Sequence, residues 1–152
     1  VKVGVRRATL KDIPVLSSMW MKLTMEEHPD ADPDVSIMGK AMCGMMASDN
    51  YHIYIAEVED EPVGFNSGLI CTDPVSRLRY VEGQFFYVNP EYRGKGPGKE
   101  LHRNSLEVCR DQGAAFIRRR ITRDHLQMML DKGHILREFI LDELIEENEN
   151  ER

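Results

Sequence analysis

At 152 residues the chain has the length of one ordinary domain, long enough to bury a core without disulfide staples. Apolar residues at 41% and charged residues at 30% give the mixture of a globular protein, and a net charge of -6 argues against a general nucleic-acid binder. No apolar run approaches the ~20 residues of a membrane span, no signal peptide is visible, and Cys43, Cys71 and Cys109 suggest neither a disulfide framework nor a zinc pair, so a cytoplasmic protein is expected.

In chain order, residues 1–8 read as a strand. "ATLKDIPVLSSMW" then starts a helix: Thr9 is a capping residue, Asp12 favours the helix dipole, and apolar residues recur through Ile13, Leu16, Trp20 and Leu23. "TMEEHPDADPD" reads as a loop, followed by a helix over residues 35–47 whose Met38, Met42, Met45 and Met46 share one face and read as core. "YHIYIAEVE" and "VGFNSGLI" are two strands joined by the turn "DEP", and "LRYVEGQFFYV" is a third, ending at Asn89-Pro90. A helix from about Pro97 to Gln112 stops at Gly113. "AAFIRRRIT" reads as a strand, "RDHLQMMLDKG" as a helix, "HILREFILDEL" as either, and "IEENENER" as a solvated tail.

That order is a mixed α/β domain in which a three-stranded meander meets a crossover helix. One domain is expected over residues 1–144, with an acidic tail at 145–152. Charge is uneven along it. Residues 93–123 are basic, whereas residues 26–34 and the tail are acidic, an asymmetry that suits an anionic cofactor at one place and a cationic substrate at another.

"NPEYRGKGPGKEL" carries the most chemistry. A glycine loop that follows a strand and opens a helix offers backbone N–H groups to an anion where the helix dipole also favours negative charge. Arg93, Lys95 and Lys99 add positive charge, and Gly94, Gly96 and Gly98 allow close approach. A nucleotide P-loop fails by one residue of spacing and by Glu100 at its hydroxyl position. A dinucleotide fingerprint fails at its third glycine. The pattern R-x-x-G-x-G is met by Arg93, Gly96 and Gly98.

With that pattern, "FFYVNPEYRGKGPGKEL" resembles the pyrophosphate-binding motif of the GNAT superfamily of acyl-CoA-dependent N-acetyltransferases, and the opening "VRRATLKDIPVL" and the late "DHLQMMLDKGH" are similar to other parts of that fold. The resemblance implies a central, mostly antiparallel, splayed sheet flanked by helices, with acetyl-CoA as cosubstrate, an amine acceptor and no metal. It implies that backbone N–H groups of Arg93 through Lys99 bind the pyrophosphate. Tyr87 and Val88 would pair through their backbone with the pantetheine arm and help polarise the acetyl carbonyl.

Deprotonating the amine needs a general base. Glu82, eleven residues before Arg93, stands where some members of the family carry a glutamate base, with Tyr80, Phe85 and Phe86 close by in sequence. Glu26, Glu27 and His28 are further candidates, expected to border the acceptor. The family's usual tyrosine acid is replaced by Met129 and its usual phenylalanine by His134, leaving Tyr87, Tyr92 or water to assist the leaving thiolate. Of Arg118, Arg119 and Arg120, alternation turns one to solvent and another toward a phosphate or carboxylate. Asn66 and Tyr54 are candidates for the acceptor cleft. A noncatalytic acyl-CoA-binding module is the alternative reading, and an exposed strand edge near the chain end leaves a homodimer open.

Overall fold

The computed structural model describes residues 2–119 and residue 131. Its elements run β1 (Val3–Arg7), α1 (Ile13–Glu27), α2 (Val35–Met46), β2 (Tyr51–Val58), β3 (Glu61–Thr72), β4 (Arg79–Val88), α3 (Pro97–Asp111) and β5 (Phe116–Arg119). All belong to one unit, Val1–Arg120. The expected helix carrying Met129, the element after it with His134, the tail and the domain end at residue 144 lie outside the described residues. Among the described residues no helix is long and apolar enough to cross a membrane.

The five strands lie in sequence order. β1 through β4 pair antiparallel, and β5 joins β4 in parallel after the α3 crossover. α1 and α2 cover one face, where Leu16, Met19 and Met42 pack on Ile53, Ile55, Phe65 and Tyr87. On the opposite face Leu101 of α3 packs with Ala56, Val58, Val63 and Val88. Alternation produces this division, since successive strand residues point to opposite faces. The methionine face of α2 is core as expected: Met38 and Met42 are buried, and Met45 and Met46 pack against the cluster. Trp20 packs on Phe85 with ring centroids 4.6 Å apart.

Two boundaries differ from expectation. α1 starts at Ile13, because Leu10–Asp12 form a 3-10 turn in which the Thr9 N–H and hydroxyl donate to Asp12 Oδ2 at 2.7 and 3.0 Å. At its other end α1 continues through Glu27, so Glu26 and Glu27 are helical and the loop begins at His28. Thr24 returns its hydroxyl to the Trp20 carbonyl at 3.0 Å, and the helix stops only where Pro29 disfavours helical geometry at His28.

Arg6 fastens the start of α1 to the sheet. Its guanidinium reaches Asp12 at 2.7 and 2.8 Å and Glu57 at 2.7 Å, joining β1, the 3-10 turn and β2. These hydrogen bonds, with those from Thr9, hold the Asp12 carboxyl well below the usual carboxylate range despite its burial, and raise Arg6 further above its ordinary value. At the end of α3, Gly113 sits at φ +65°, and the Ala114 N–H donates to the Cys109 carbonyl at 2.8 Å, giving the expected helix stop.

Candidate functional site

Among the described residues, β4 is paired on both sides in its first half alone. Its parallel register with β5 runs from Tyr80↔Phe116 to Gly83↔Arg119, and from Gln84 onward no described strand covers that edge. Gln84 is also the extra residue of a bulge, since Ser67 faces Phe85 while Gly68 faces Gly83. A bulge bends its strand and marks the place where pairing can end.

Which groups face the open edge follows from the ladder. The Asn89 N–H donates to the Val63 carbonyl at 2.8 Å, so Asn89 points toward β3. Alternation then turns Tyr87 and Phe85 toward β3 and Phe86 and Val88 toward the open side. Arg93 agrees with this, because its Nε reaches the outward Val88 carbonyl at 2.9 Å. The outward N–H groups therefore belong to Phe86 and Val88. The Tyr87 N–H, expected on the edge, faces the sheet interior.

The glycine loop lies directly beyond the open half of β4. Gly94 and Gly96 have φ of +75° and +111°, values that L side chains adopt only under strain. Together they turn the chain so that Pro97 occupies the first position of α3. Arg93 and Lys95 spend their N–H groups inside the turn, on the Pro90 and Tyr92 carbonyls at 3.2 Å each. Among the described residues the unspent donors are thus those of Gly94, Gly96, Gly98 and Lys99, fewer than the continuous run expected from Arg93 to Lys99. The first helical bond of α3 is Glu100 to the Gly96 carbonyl, 3.1 Å. Lys95 lies over the Tyr92 ring at 6.0 Å, and Lys99 is exposed in the first turn.

The Arg93 side chain is not aimed into this cradle. It makes a bidentate contact with Glu26 at 2.7 and 2.8 Å, holds the Val88 carbonyl, and covers the Tyr87 ring at 5.6 Å. One guanidinium so joins the end of α1, the end of β4 and the loop. Glu26 is thereby engaged, while Glu27 and His28 are exposed beside it. Tyr87 is 3% exposed within the core cluster. Burial pushes its phenol above the ordinary value, Glu26 adds to the rise and Arg93 opposes it.

Glu82 lies at the junction, one residue before the last β4–β5 pair, in register with Leu69 and Arg118. Its side chain is 20% exposed and 4.0 Å from Arg118 Nη1. Arg118 in turn covers the Tyr80 ring at 5.0 Å, on the α1 and α2 face. Phe86 does not border Glu82 as its place in the sequence suggested: the bulge and alternation put it on the α3 face, where its ring lies within reach of Gly98 and Arg119. Asn66 and Tyr54 are on the α3 face too, with Asn66 Nδ2 donating to the Leu101 carbonyl at 3.3 Å. Arg120 lies outside the described residues.

Three features of the candidate site are not legible in the sequence: the bulge at Gln84, the outward N–H of Phe86, and the Arg93–Glu26 contact.

An antiparallel meander, a crossover helix opened by a glycine loop, and a parallel partner strand that pairs, among the described residues, with the first half of β4 define the acetyltransferase class of fold. The model of the Acetyltransferase (GNAT) family matches residues 14–127, and the chain belongs to that family. Among solved structures, a predicted acetyltransferase from Clostridium acetobutylicum, solved with acetyl-CoA, is 16% identical with a TM-score of 0.79, the match covering 94% of this chain and 96% of that one. Glucosamine-6-phosphate N-acetyltransferase from Arabidopsis thaliana is 12% identical with a TM-score of 0.76, covering 96% and 100%. A transcriptional regulator from Bacillus halodurans C-125 is 17% identical with a TM-score of 0.80, covering 95% and 100%. At these identities the likeness is one of fold. Comparison with curated proteins finds no match.

Proposed function

We propose that the protein transfers the acetyl group of acetyl-CoA to a primary amine by direct attack in a ternary complex. The carrying observation is the alignment of two donor sets: the unspent N–H groups of Gly94, Gly96, Gly98 and Lys99, and the outward N–H groups of Phe86 and Val88 on the adjoining bare edge. The first set suits a pyrophosphate at a helix amino terminus. The second suits an extended amide-bearing arm added as a strand. This chain's residues therefore fit acetyl-CoA, which supplies the activated acetyl group when bound.

Each step of the reaction then falls to a named group. The Phe86 N–H donates to the acetyl carbonyl oxygen as negative charge develops there. Glu82 accepts the proton of the attacking amine, directly or through one water. The new bond joins the amine nitrogen to the carbonyl carbon, the carbon–sulfur bond breaks, and its electron pair leaves with sulfur. Tyr87, being buried, is poorly placed to protonate that sulfur, which leaves as thiolate. Glu27, His28 and the acidic loop that follows favour a cationic acceptor, either a small amine or a protein amine. Free Cys43, Cys71 and Cys109 are in keeping with work in the cytoplasm.

Thermal unfolding with acetyl-CoA, CoA, ATP and NAD in parallel tests the reading. A ligand held at one hundred times its dissociation constant adds about 2.7 kcal/mol. Stabilisation by acetyl-CoA and CoA alone is expected, whereas stabilisation by a nucleotide alone, or by none of the four, removes the assignment. An amine screen for thiol release follows, in which Glu82→Gln is expected to lose about 10²- to 10⁴-fold in kcat while still binding acetyl-CoA. Binding without release for every amine class tested returns the protein to the noncatalytic reading.

A further inference from the structure

On the α3 face, beneath the point where β4 and β5 part, lies a small polar chamber that the reaction above leaves unused. Two glycines form part of its floor, with Val81 Cγ1 closing over Gly68 and the Arg119 stem over Gly83. The register runs His52↔Gly68, Gly68↔Gly83 and Gly83↔Arg119, so a histidine and an arginine stand at the ends of a row with no side chain between them. Asn104 is among the α3 residues that line it, and its volume is about 20 Å³, room for one water-sized group.

The walls carry unspent polarity. Both ring nitrogens of His52, Oδ1 of Asn66 and Oδ1 of Asn104 are buried with no hydrogen-bond partner among the described residues. Arg119 closes the row. Its guanidinium lies 5.9 Å from the Phe86 ring centroid and 3.4 Å from His102 Nδ1, and among the described residues no carboxylate is within ion-pair distance of it. Burial lowers its pKa from the ordinary arginine value, with only the Cys109 thiol acting the other way. A cation drawn out of water without an anion is costly, and a ligand that brings the anion completes the arrangement.

We propose that Arg119 receives the thiolate of the departing CoA, an inference that rests on the acetyl-CoA reading above. Position supports it: an arm held at the glycine loop and paired with Val88, its acetyl carbonyl at the Phe86 N–H, runs along that edge toward Gly83↔Arg119, the last described pair of β4 and β5. Chemistry supports it as well. The amine's proton goes to Glu82 on the α1 and α2 face, while the sulfur keeps the electron pair of the broken bond, and the negative charge it carries is one that a cation, rather than an acid, balances. Size selects sulfur over phosphate, because the chamber admits a single heavy atom and the loop already supplies the donors a pyrophosphate needs.

Titration calorimetry of the full chain with CoA, acetyl-CoA and dephospho-CoA, across a pH series through the CoA thiol's ionisation, tests the assignment. In Arg119→Met, affinity for CoA is expected to fall roughly tenfold to a hundredfold above the thiol's pKa, the loss of one charge-assisted contact, while affinity for acetyl-CoA changes by less than about threefold. Arg119→Lys restores part of the preference. The unliganded Arg119→Met protein melts at or above the wild-type temperature, since it has lost a desolvated cation that no carboxylate among the described residues pairs. An equal loss for CoA and acetyl-CoA that disappears with dephospho-CoA makes Arg119 a phosphate ligand and overturns the proposal. Unchanged affinities reduce the chamber to a water site, and a lowered melting temperature with the preference intact reduces Arg119 to packing. If the wild type binds none of the three, the acetyl-CoA reading fails first, and this one with it.

Discussion

An arginine stands at each end of α1, and the two are used differently. Arg6, at the start, is spent on carboxylates: Asp12, whose side chain is 10% exposed, and Glu57 at 20%. Arg93, at the end, shares itself among a carboxylate, a carbonyl and an aromatic face, and its pair with Glu26 is 47% and 42% exposed. The first network joins elements that only support the site. The second joins the two segments that border it, the end of the edge strand and the helix leading into the acidic loop. The two guanidinium groups are themselves almost equally exposed, 39% and 47%, so the contrast lies in the partners: an arginine held by mostly buried carboxylates fixes a fold, whereas one divided among half-exposed partners can set the geometry of a site at little cost in stability.

The largest effect should come from the first network. Asp12→Asn is expected to cost about 3 kcal/mol by denaturant unfolding, the low end for breaking a buried pair from one side, because Arg6 keeps Glu57 and some solvent. CoA affinity should not change; a parallel loss would erase the contrast between the two arginines. The same residue sets a pH dependence. Its folded pKa lies below the unfolded value of ~4, so its contribution is complete above that pH and is lost as pH falls through the folded value. Stability measured between neutral and acid pH should therefore fall less steeply in Asp12→Asn than in the wild type.

A middle-sized effect separates the two ends of α3. Gly96→Ala, at φ +111°, should lose about 1–3 kcal/mol and much of its stabilisation by CoA. Gly113→Ala, at φ +65°, should show a similar strain with CoA stabilisation intact. If both variants keep CoA binding, the loop conformation is not what binds it.

The smallest change in stability should be at the clasp. Glu26→Gln and Arg93→Lys are each expected to cost less than about 1 kcal/mol, as half-exposed pairs do. Both should weaken CoA binding, and the double variant should be no worse than the worse single one, since they break one linkage. Additive losses in calorimetry would mean that Arg93 touches the ligand directly and that Glu26 acts apart from it.

What the sequence made legible was local. The glycines of the loop, Pro97 at a helix start and Gly113 at its stop each carry a backbone requirement in their own side chain, or lack of one, and the structure places them as expected. The methionine face of α2 was legible by its period. The Arg93–Glu26 contact was not, because it joins residues 67 apart through side-chain geometry that no spacing rule encodes. Nor was the outward direction of Phe86 and Val88. It depends on the bulge at Gln84, and a one-residue shift in register exchanges every inward group for an outward one. The chamber under α3 needs Gly68 and Gly83 side by side across two strands, a neighbourhood that exists only after folding.

The half of β4 that no described strand covers has a further consequence, in how the protein keeps to itself. Any strand edge with free donors and acceptors is a template on which another chain can build, the first step toward edge-to-edge aggregation. Here that template is spoiled at both limits. The bulge at Gln84 breaks the repeat at one limit, and Arg93 occupies the Val88 carbonyl at the other. The remaining stretch is too short for a foreign strand to gain a continuous ladder. It can still accept a slender arm that needs only a few hydrogen bonds.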